Sequence, residues 1–176
     1  NKEIFPSDWK LKSLGELGEF LKGKGISKSE TKEVGIPCIL YGEIYTEHHF
    51  FVKKFKSFID SNTASMSMPL KKGDILFTGS GETKEDIGKA VAYLKEEEAY
   101  AGGDIIILRP NKVVDSLFLS YLLNSEQINK ERIKLGQGHS VVHIYPKELK
   151  SLKIPLPSLN EQTKISNILS TWDKAI

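Results

Sequence analysis

The segment that most constrains this chain is a proline-spaced stretch near its C-terminus, Ile-Pro-Leu-Pro at residues 154–157, followed by Ser158 and Glu161. Each proline fixes its own φ and disfavours helical geometry in the residue before it, which predicts an extended entry. Ser158 and Glu161 have the Ser-x-x-Glu spacing of a capping box, in which the hydroxyl accepts from the Glu161 amide and the carboxylate accepts from the Ser158 amide. The stretch therefore predicts that an extended segment turns into a helix at Ser158.

The residues after this start repeat with the period of an amphipathic helix. Apolar side chains recur at steps of three and four, at Ile165, Ile168, Leu169, Trp172 and Ile176. Since neither glycine nor proline interrupts the pattern, a helix from Leu159 onward would be about 27 Å long, too long for a domain of this size to cover its whole stripe. We therefore expect these five residues to form a face for a partner or a second copy, with Trp172 and Ile176 projecting onto a second helix or a modification subunit. The alternative is that Ile165, Ile168 and Leu169 pack on the body near the base of the helix.

The composition is that of a folded globular protein rather than a disordered or membrane-spanning one. The 176 residues are 39% hydrophobic and 27% charged, which suits one compact domain with an appendage. There is neither an apolar run long enough to span a bilayer nor a signal-peptide-like N-terminus. The lone cysteine, Cys38, lies in an apolar, strand-like run, which predicts a buried thiol in a cytoplasmic protein. The net charge of +2 permits a nucleic-acid partner without requiring one.

The body of the chain has mainly the patterns of strands, with helices at its periphery. The continuous β-branched run at residues 104–110 predicts the central strand, which its proline ends. Further strands are predicted within residues 36–45, 74–77 and 88–94. Helices are predicted at residues 11–17, 114–123 and 125–134, and a loop at residues 61–68. Together these elements predict an α+β fold.

Three polar loops punctuated by glycine lie between these elements, at residues 22–29, 78–84 and 136–140. They combine lysines and hydroxyls that suit phosphate oxygens with a glutamine whose amide matches the N6 and N7 edge of adenine. Polar loops on a rigid scaffold are typical of binding sites, and this combination favours DNA. The side chains that we expect to contact DNA are Lys22, Lys24, Ser27, Lys28, Thr78, Ser80, Thr83, Lys84, Gln137, His139 and Ser140.

The middle loop also matches parts of catalytic motifs. Position 83 is threonine where a P-loop needs its first glycine, and Lys84 stands where a dinucleotide fingerprint needs its third. Asp74 with Glu82 and Lys84 has the Asp…Glu-x-Lys order of metal-dependent nucleases, in which two carboxylates hold a divalent ion. Because Glu82 and Lys84 follow a flexible Gly-Ser-Gly turn, contact with DNA is favoured over a metal site. A nuclease and a protein-interaction domain without a DNA role remain the alternatives.

With these loops, the chain resembles the DNA specificity subunit of type I restriction–modification systems over essentially its whole length. The motifs are Trp9-Lys-Leu-Lys-Ser-Leu-Gly-Glu-Leu-Gly18, Gly35-Ile-Pro37, Tyr41-Gly-Glu43, Gly73-Asp-Ile-Leu76, residues 116–123, Gly136-Gln-Gly-His-Ser140 and, most specific, Ile154-Pro-Leu-Pro157 with Glu161, Gln162, Ile165 and Leu169. The resemblance implies a target recognition domain at residues 1–157, built on a twisted mixed β-sheet with peripheral helices. It also implies that residues 158–176 start a protruding, coiled-coil-type spacer helix.

The same resemblance implies a non-catalytic role within a larger complex. In the family, two such units pair through long antiparallel helices, and each reads half of a split site in double-stranded DNA. Modification subunits bring S-adenosylmethionine, and restriction subunits bring ATP, Mg²⁺ and the nuclease, so no cofactor or metal is expected on this chain. The sequence holds one recognition domain where the family usually has two. It is therefore either a half-subunit that dimerises or a piece of a longer chain.

Overall fold

The computed structural model describes residues 5–138 and 141–175, and these form an α+β fold, as predicted. The strands are β1 (Lys10–Ser13), β2 (Gly18–Lys22), β3 (Ile36–Ile39), β4 (Ser57–Ile59), β5 (Met68–Pro69), β6 (Ile75–Thr78), β7 (Ser80–Gly81), β8 (Ala90–Ala92), β9 (Tyr100–Ala101), β10 (Ile105–Pro110), β11 (Val142–His143) and β12 (Lys153–Leu156). The helices are α1 (Tyr41–Thr46), α2 (Ser61–Ser65), α3 (Ser116–Leu123), α4 (Glu126–Ile133), α5 (Pro146–Ser151) and α6 (Leu159–Ala175), with short 3-10 turns at Leu14–Glu16 and Lys28–Glu30.

The strands form two four-stranded sheets and two small ribbons. The first sheet has the order β2-β10-β6-β8 and is antiparallel throughout, with the predicted central strand β10 between two neighbours. The second has the order β4-β3-β9-β5 and is mixed, because β3 and β9 run parallel. The ribbons pair β1 with β12 and β7 with β11. The antiparallel order of the first sheet decides which loops meet at each of its ends.

The first sheet separates two apolar cores, which explains why its strands are apolar without alternation. Side chains one residue apart point to opposite faces of a strand. Ile75 and Phe77 of β6 accordingly join the larger core, which α3 covers with Phe118, whereas Leu76 of β6 joins the core that contains Ile44 of α1. Both faces of the strands are therefore buried, and the sheet holds the connecting loops at fixed positions.

Two of the local predictions are wrong at the N-terminal side of the fold. Leu11 pairs with Pro155 in the β1–β12 ribbon, so the helix predicted at residues 11–17 shrinks to the 3-10 turn at Leu14–Glu16. The strand predicted over residues 36–45 ends at Ile39, because the chain turns there into α1.

The loop predicted at residues 61–68 is also wrong, since it contains α2. Asp60 is the N-cap of this helix, and its carboxylate accepts from the backbone N–H of Thr63 at 2.8 Å. An aspartate cap of this kind satisfies one of the free amides of a first helical turn.

The C-terminal helix begins where the proline-spaced stretch predicts. The stretch is extended in β12, and α6 starts at Leu159. Ser158 Oγ accepts from the Glu161 N–H at 3.4 Å, but the Glu161 carboxylate accepts from Trp9 Nε1 at 3.2 Å. Only the Ser158 half of the predicted capping box is thus formed among the described residues, because Glu161 ties the helix to the N-terminal segment.

Gln162 fastens the first turn of α6 to the segment before α3. Its Oε1 accepts from the Asp115 N–H at 2.9 Å, its Nε2 donates to the Val113 carbonyl at 3.2 Å, and the residue is 1% exposed. Near the other end of the helix, the Tyr121 hydroxyl donates to the Asp173 carboxylate. The helix, about 25 Å long at 1.5 Å per residue, is therefore held along α3 at both ends. No helix within the described residues is both long and apolar enough to cross a membrane.

Candidate nucleic-acid interface

Two of the three polar loops lie at the same end of the first sheet. Antiparallel pairing places Lys22, the last residue of β2, beside Ile106, and Thr78, the last residue of β6, beside Ile105. The loops that follow β2 and β6 therefore leave the sheet together, next to the turn that enters β10. This convergence depends on the strand order, which no local pattern in the sequence reveals.

The turn before β10 binds both loops through its backbone. The Gly103 N–H donates to the Ile26 carbonyl at 3.1 Å, and the Gly79 N–H donates to the Asp104 carbonyl at 2.6 Å. Asp104 has a φ of 59°, and a Cβ on Gly23 would lie 1.9 Å from the Gly102 carbonyl oxygen. Only glycine permits that approach, so the glycines of the first loop serve close packing as well as turning.

The third loop joins the other two through the β7–β11 ribbon. His143 of β11 pairs with Ser80 of β7, and the Ser80 hydroxyl and His143 Nδ1 are 2.9 Å apart. The backbones of Gln137 and His143 exchange hydrogen bonds of 2.8 and 2.7 Å, which join the start of the third loop to β11. Gly138, next to Gln137, has a φ of 115°, a conformation that favours glycine. The loops at residues 22–29, 78–84 and 136–140 are thus attached to one another.

The lysines predicted to contact DNA are all exposed. Lys22 ends β2, Lys24 and Lys28 lie on the first loop, and Lys84 lies on the second. None of them takes part in the ion pairs formed by the described residues. Their charges are therefore free of an acidic partner within the part of the chain that the structure describes, as a phosphate-binding role requires.

The hydroxyl groups predicted to contact DNA are less available than the lysines, and that of Thr78 is the least available. Thr78 is completely buried in β6, because both faces of this strand are covered. Ser80 is 8% exposed and contacts His143. The Ser27 hydroxyl contacts the Glu30 carboxylate, and the Thr83 hydroxyl donates to Asp86 at 2.9 Å. Ser27 and Thr83 are exposed and can therefore reach DNA, but each hydroxyl would first have to give up its hydrogen bond within the protein.

The remaining predicted contacts lie on the third loop. Gln137 is exposed, and its Nε2 is 3.4 Å from Glu148 Oε1, a long hydrogen bond that a base edge can replace. His139 and Ser140 fall outside the described residues. The neighbouring Val141 is half exposed and faces the second loop across a cleft.

The sequence patterns missed the helix between the loops, α1. The Glu43 carboxylate accepts from the Leu40 N–H at 3.2 Å and from the Ser57 hydroxyl, and burial raises the pKa of Glu43. The Tyr45 hydroxyl donates to the Ser80 carbonyl at 2.8 Å. The signal that was available is Glu43 itself, three residues after Leu40, the spacing of an acidic residue that reaches back to a helix start.

Lys89 holds the other end of α1. Its Nζ donates to the carbonyls of Tyr45 and His48, at 3.3 and 2.8 Å, and burial lowers the pKa of Lys89. A cation at the last carbonyls of a helix satisfies groups that have no partner within the helix. α1 is therefore fixed to the body at its start, middle and end.

Two clefts open on either side of α1. The first has a volume of about 490 Å³ and lies between α1 and the first loop, with Ser27, Lys28 and Asp104 in its walls. The second, of about 500 Å³, lies between α1 and the second loop, with Thr83 in its wall. Tyr41, Gly42 and Thr46 line both clefts, so the exposed side of α1 is a ridge between them.

The residues of the nuclease alternative lie apart. Asp74 precedes β6 and Glu82 follows it, so at least the four-residue strand, about 13 Å, separates them. Asp74 is 0% exposed, and its carboxylate accepts from Arg109 Nε at 2.9 Å and Nη2 at 2.8 Å. The described residues hold no cluster of three metal-binding side chains. Asp74 is thus a structural partner of Arg109, and the geometry does not support a nuclease.

On α6 the predicted partner residues are only partly covered. Ile165 packs against the larger core, which agrees with the alternative of packing near the base of the helix. Ile168 is 61% exposed and Leu169 38%, so the alternative in which both pack on the body is wrong, and both side chains are accessible to a partner. Trp172 is 69% exposed, and Ile176 lies outside the described residues. Gln162 and the buried Ser166 occupy the body-facing side instead, which turns the apolar stripe toward solvent.

The fold is that of a known class of protein. The crystal structure of the S subunit of a type I restriction–modification system from M. genitalium matches with a TM-score of 0.66 at 20% identity, over 99% of this chain and 40% of that one. The HsdS subunit from Thermoanaerobacter tengcongensis matches with a TM-score of 0.67 at 20% identity, over 99% and 39% of the two chains. These likenesses show the fold.

Sequence comparison shows the family. The family model described as the type I restriction modification DNA specificity domain matches residues 6–176, so the chain belongs to this family, as the motifs predicted. The chain is 32% identical to the putative type I restriction enzyme MjaX specificity subunit of Methanocaldococcus jannaschii, over 97% of its own length and 41% of that protein. It is 24% identical to the EcoKI specificity subunit of Escherichia coli, over 94% and 36%. The chain thus spans about two fifths of the length of these relatives.

Proposed function

We propose that this chain is a DNA recognition module that reads one half of a bipartite target of a type I restriction–modification system. The observation that carries the proposal is the meeting of the three polar loops at one end of a rigid sheet, in a chain of the DNA specificity family. Loops held by a sheet at fixed positions suit the recognition of a duplex, since the contacts are arranged before binding.

Within this interface we assign different tasks to the charged and the uncharged side chains. Lys22, Lys24, Lys28 and Lys84 contact phosphates, which places the module on the duplex without reading its sequence. Base contacts fall to the third loop, where Gln137 has the bidentate amide that suits adenine, with His139 and Ser140 beside it. Further polar contacts to DNA come from Ser27, Ser80 and Thr83. We assign no DNA contact to Thr78, because its side chain is buried.

The module acts within a complex rather than alone. We propose that α6 docks modification and restriction subunits, and that a second recognition domain or a second copy of this chain supplies the other half-site through the same helix. S-adenosylmethionine, ATP and Mg²⁺ then belong to the partner subunits, and this chain carries no catalytic residue. The complex works in the cytoplasm.

The proposal is tested by selecting bound sequences from a random duplex pool, followed by binding measurements over a range of salt concentrations. A half-site is expected to emerge with the wild-type chain, both alone and together with its modification subunit. A variant with Lys22→Ala, Lys24→Ala and Lys84→Ala should bind all duplexes more weakly and lower the salt slope by about one unit for each phosphate contact that is lost.

A matched control removes the same number of charges from the opposite end of the sheet. Lys71, Lys72 and Lys112 are exposed there, before β6 and after β10. Their replacement with alanine should leave the salt slope nearly unchanged. Equal slopes for both triple variants would place DNA elsewhere on the protein, and the absence of any enriched sequence would contradict the proposed function.

A further inference from the structure

We propose that α1 enters the major groove of the target duplex and that Tyr41, its first residue, is a specificity-determining residue that contacts base edges. The inference rests on the proposed function, because it adds a second base-reading element to the third loop at the same interface. It was not among the contacts expected from the sequence, where residues 36–45 have the pattern of a strand.

The first argument is the shape of the surface. α1 faces the body with Ile44, which is fully buried, and with the anchored side chains of Glu43 and Tyr45. Its other side carries Tyr41, which is 41% exposed, and Thr46. Because these outer residues line both clefts, the exposed side of α1 is a ridge between them. A protruding ridge of this kind can enter a groove of DNA.

The dimensions agree with the major groove. A helix with its side chains has a diameter of about 10–12 Å, and the six residues of α1 span about 9 Å. The major groove of B-DNA is about 12 Å wide and 8.5 Å deep, whereas the minor groove is only about 6 Å wide. A short helix between two clefts therefore fits the major groove, with its exposed side facing the base edges.

The charged residues that line the two clefts indicate which parts of the DNA lie near α1. Lys28 and Asp104 line the first cleft, and Glu82 and Asp86 line the second. Carboxylates repel phosphates but accept hydrogen bonds from the N4 amino group of cytosine. The carboxylates in the clefts consequently suit base edges better than phosphates, which leaves the strand backbones to Lys28 and the other exposed lysines of the adjoining loops.

The anchoring of α1 makes Tyr41 suitable for readout. Contacts from Ser57, Ser80 and Lys89 hold the helix, so its first residue is presented at a fixed position. A tyrosine ring packs on the thymine methyl group, and its hydroxyl can donate to the purine N7 or O6 acceptors, both of which are in the major groove. A rigid aromatic side chain also loses little conformational freedom on binding.

The test compares duplexes selected by the wild type with those selected by Tyr41→Ala and Tyr41→Phe. We expect Tyr41→Ala to lose about tenfold preference at one or two adjacent base pairs and to keep the rest of the half-site. The salt slope should not change, because Tyr41 carries no charge. Tyr41→Phe should keep the preference if the ring packs on thymine and lose it if the hydroxyl bonds a purine, and either result supports base contact.

The control is Tyr145→Ala, since Tyr145 is 51% exposed but lines neither cleft. It should select the wild-type half-site. The inference is overturned if Tyr41→Ala, shown by circular dichroism to be folded, selects the same half-site with equal preference at every position. It is also overturned if affinity falls equally for all sequences, as a structural role would produce. Failure of the wild type to select any sequence would instead contradict the proposed function, and this inference with it.

Discussion

Asp74→Ala is expected to lower the free energy of unfolding by about 3 kcal/mol. The Asp74 carboxylate is 0% exposed and accepts from Arg109 Nε at 2.9 Å, from Arg109 Nη2 at 2.8 Å and from the backbone N–H of Lys71 at 2.8 Å. Truncation removes all three hydrogen bonds. It leaves the partly buried guanidinium of Arg109 without the carboxylate that pairs with it.

The magnitude follows from the burial of the two partners. Breaking a buried ion pair by removing one partner costs about 3–5 kcal/mol, mostly through the charge left behind. The Arg109 side chain remains 24% exposed, so water solvates part of the orphaned guanidinium and the lower end of the range applies. The double variant Asp74→Ala, Arg109→Met should be more stable than Asp74→Ala alone, because it removes that charge.

The assay is urea unfolding at pH 7 with and without Mg²⁺, and Glu82→Ala is the matched control. Glu82 is exposed on the second loop, so its loss should change the free energy of unfolding by no more than about 0.5 kcal/mol. The reasoning is refuted if Asp74→Ala is as stable as the wild type. Stabilisation of the wild type by Mg²⁺, lost in both variants, together with Mg²⁺-dependent nicking of DNA, would restore the nuclease alternative.

Two further substitutions test the burial of polar groups. His48 is 2% exposed, neither ring nitrogen has a hydrogen-bond partner among the described residues, and burial lowers its pKa below the usual 6.5. As the pH falls, the unfolded chain therefore binds a proton at His48 before the folded chain does. The free energy of unfolding is then highest above pH 6.5 and decreases as the pH falls through the pKa of His48 in the folded state. His48→Phe should reduce this pH dependence, as measured by urea unfolding at pH 7.5 and 5.0. Gln162→Ala should cost about 2 kcal/mol in the same assay at pH 7, because Asp115 and Val113 lose their buried partner, whereas Thr163→Ala on the exposed side should cost little.

The parts of the fold that the sequence predicts are those with a strong local pattern. The run in β10 predicts a central strand because burial on both faces leaves an apolar stretch without alternation. The start of α6 follows from the prolines that precede it. α1 and α2 are too short to show a helical period, and only their first-turn acceptors, Glu43 and Asp60, distinguish them from strand or loop.

The sequence predicts each polar loop of the candidate interface, but it does not predict that the loops lie next to one another. Glycine, lysine and hydroxyl residues mark each polar loop locally. Their meeting depends on pairings between distant residues, such as Lys22 with Ile106 and Ser80 with His143, which are set by the tertiary fold. The burial of Thr78 has the same origin, since a threonine at the end of an apolar strand resembles the first residue of a polar loop.

The outward orientation of the apolar residues of α6 leads to the last prediction, which concerns association. The contacts of Gln162 and Asp173 with the body fix the rotation of the helix, and Trp172 is 69% exposed in that rotation. Trp172→Ala should therefore leave the free energy of unfolding within about 0.5 kcal/mol of the wild type. If the helix docks a second copy or a modification subunit, the loss of a large aromatic anchor should weaken that association by about 2 kcal/mol or more.

Sedimentation over a concentration series, with and without the modification subunit, measures this effect. Leu11→Ala provides the control, since Leu11 is 63% exposed on the β1–β12 ribbon rather than on α6. Unchanged association of Trp172→Ala in both series would exclude this face of α6 from the contact. A large loss of folding stability in the same variant would mean that Trp172 belongs to the core of its own domain. Because Gln162, Ile165 and Ser166 already form the body-facing side of the helix, we expect association to change and stability to stay the same.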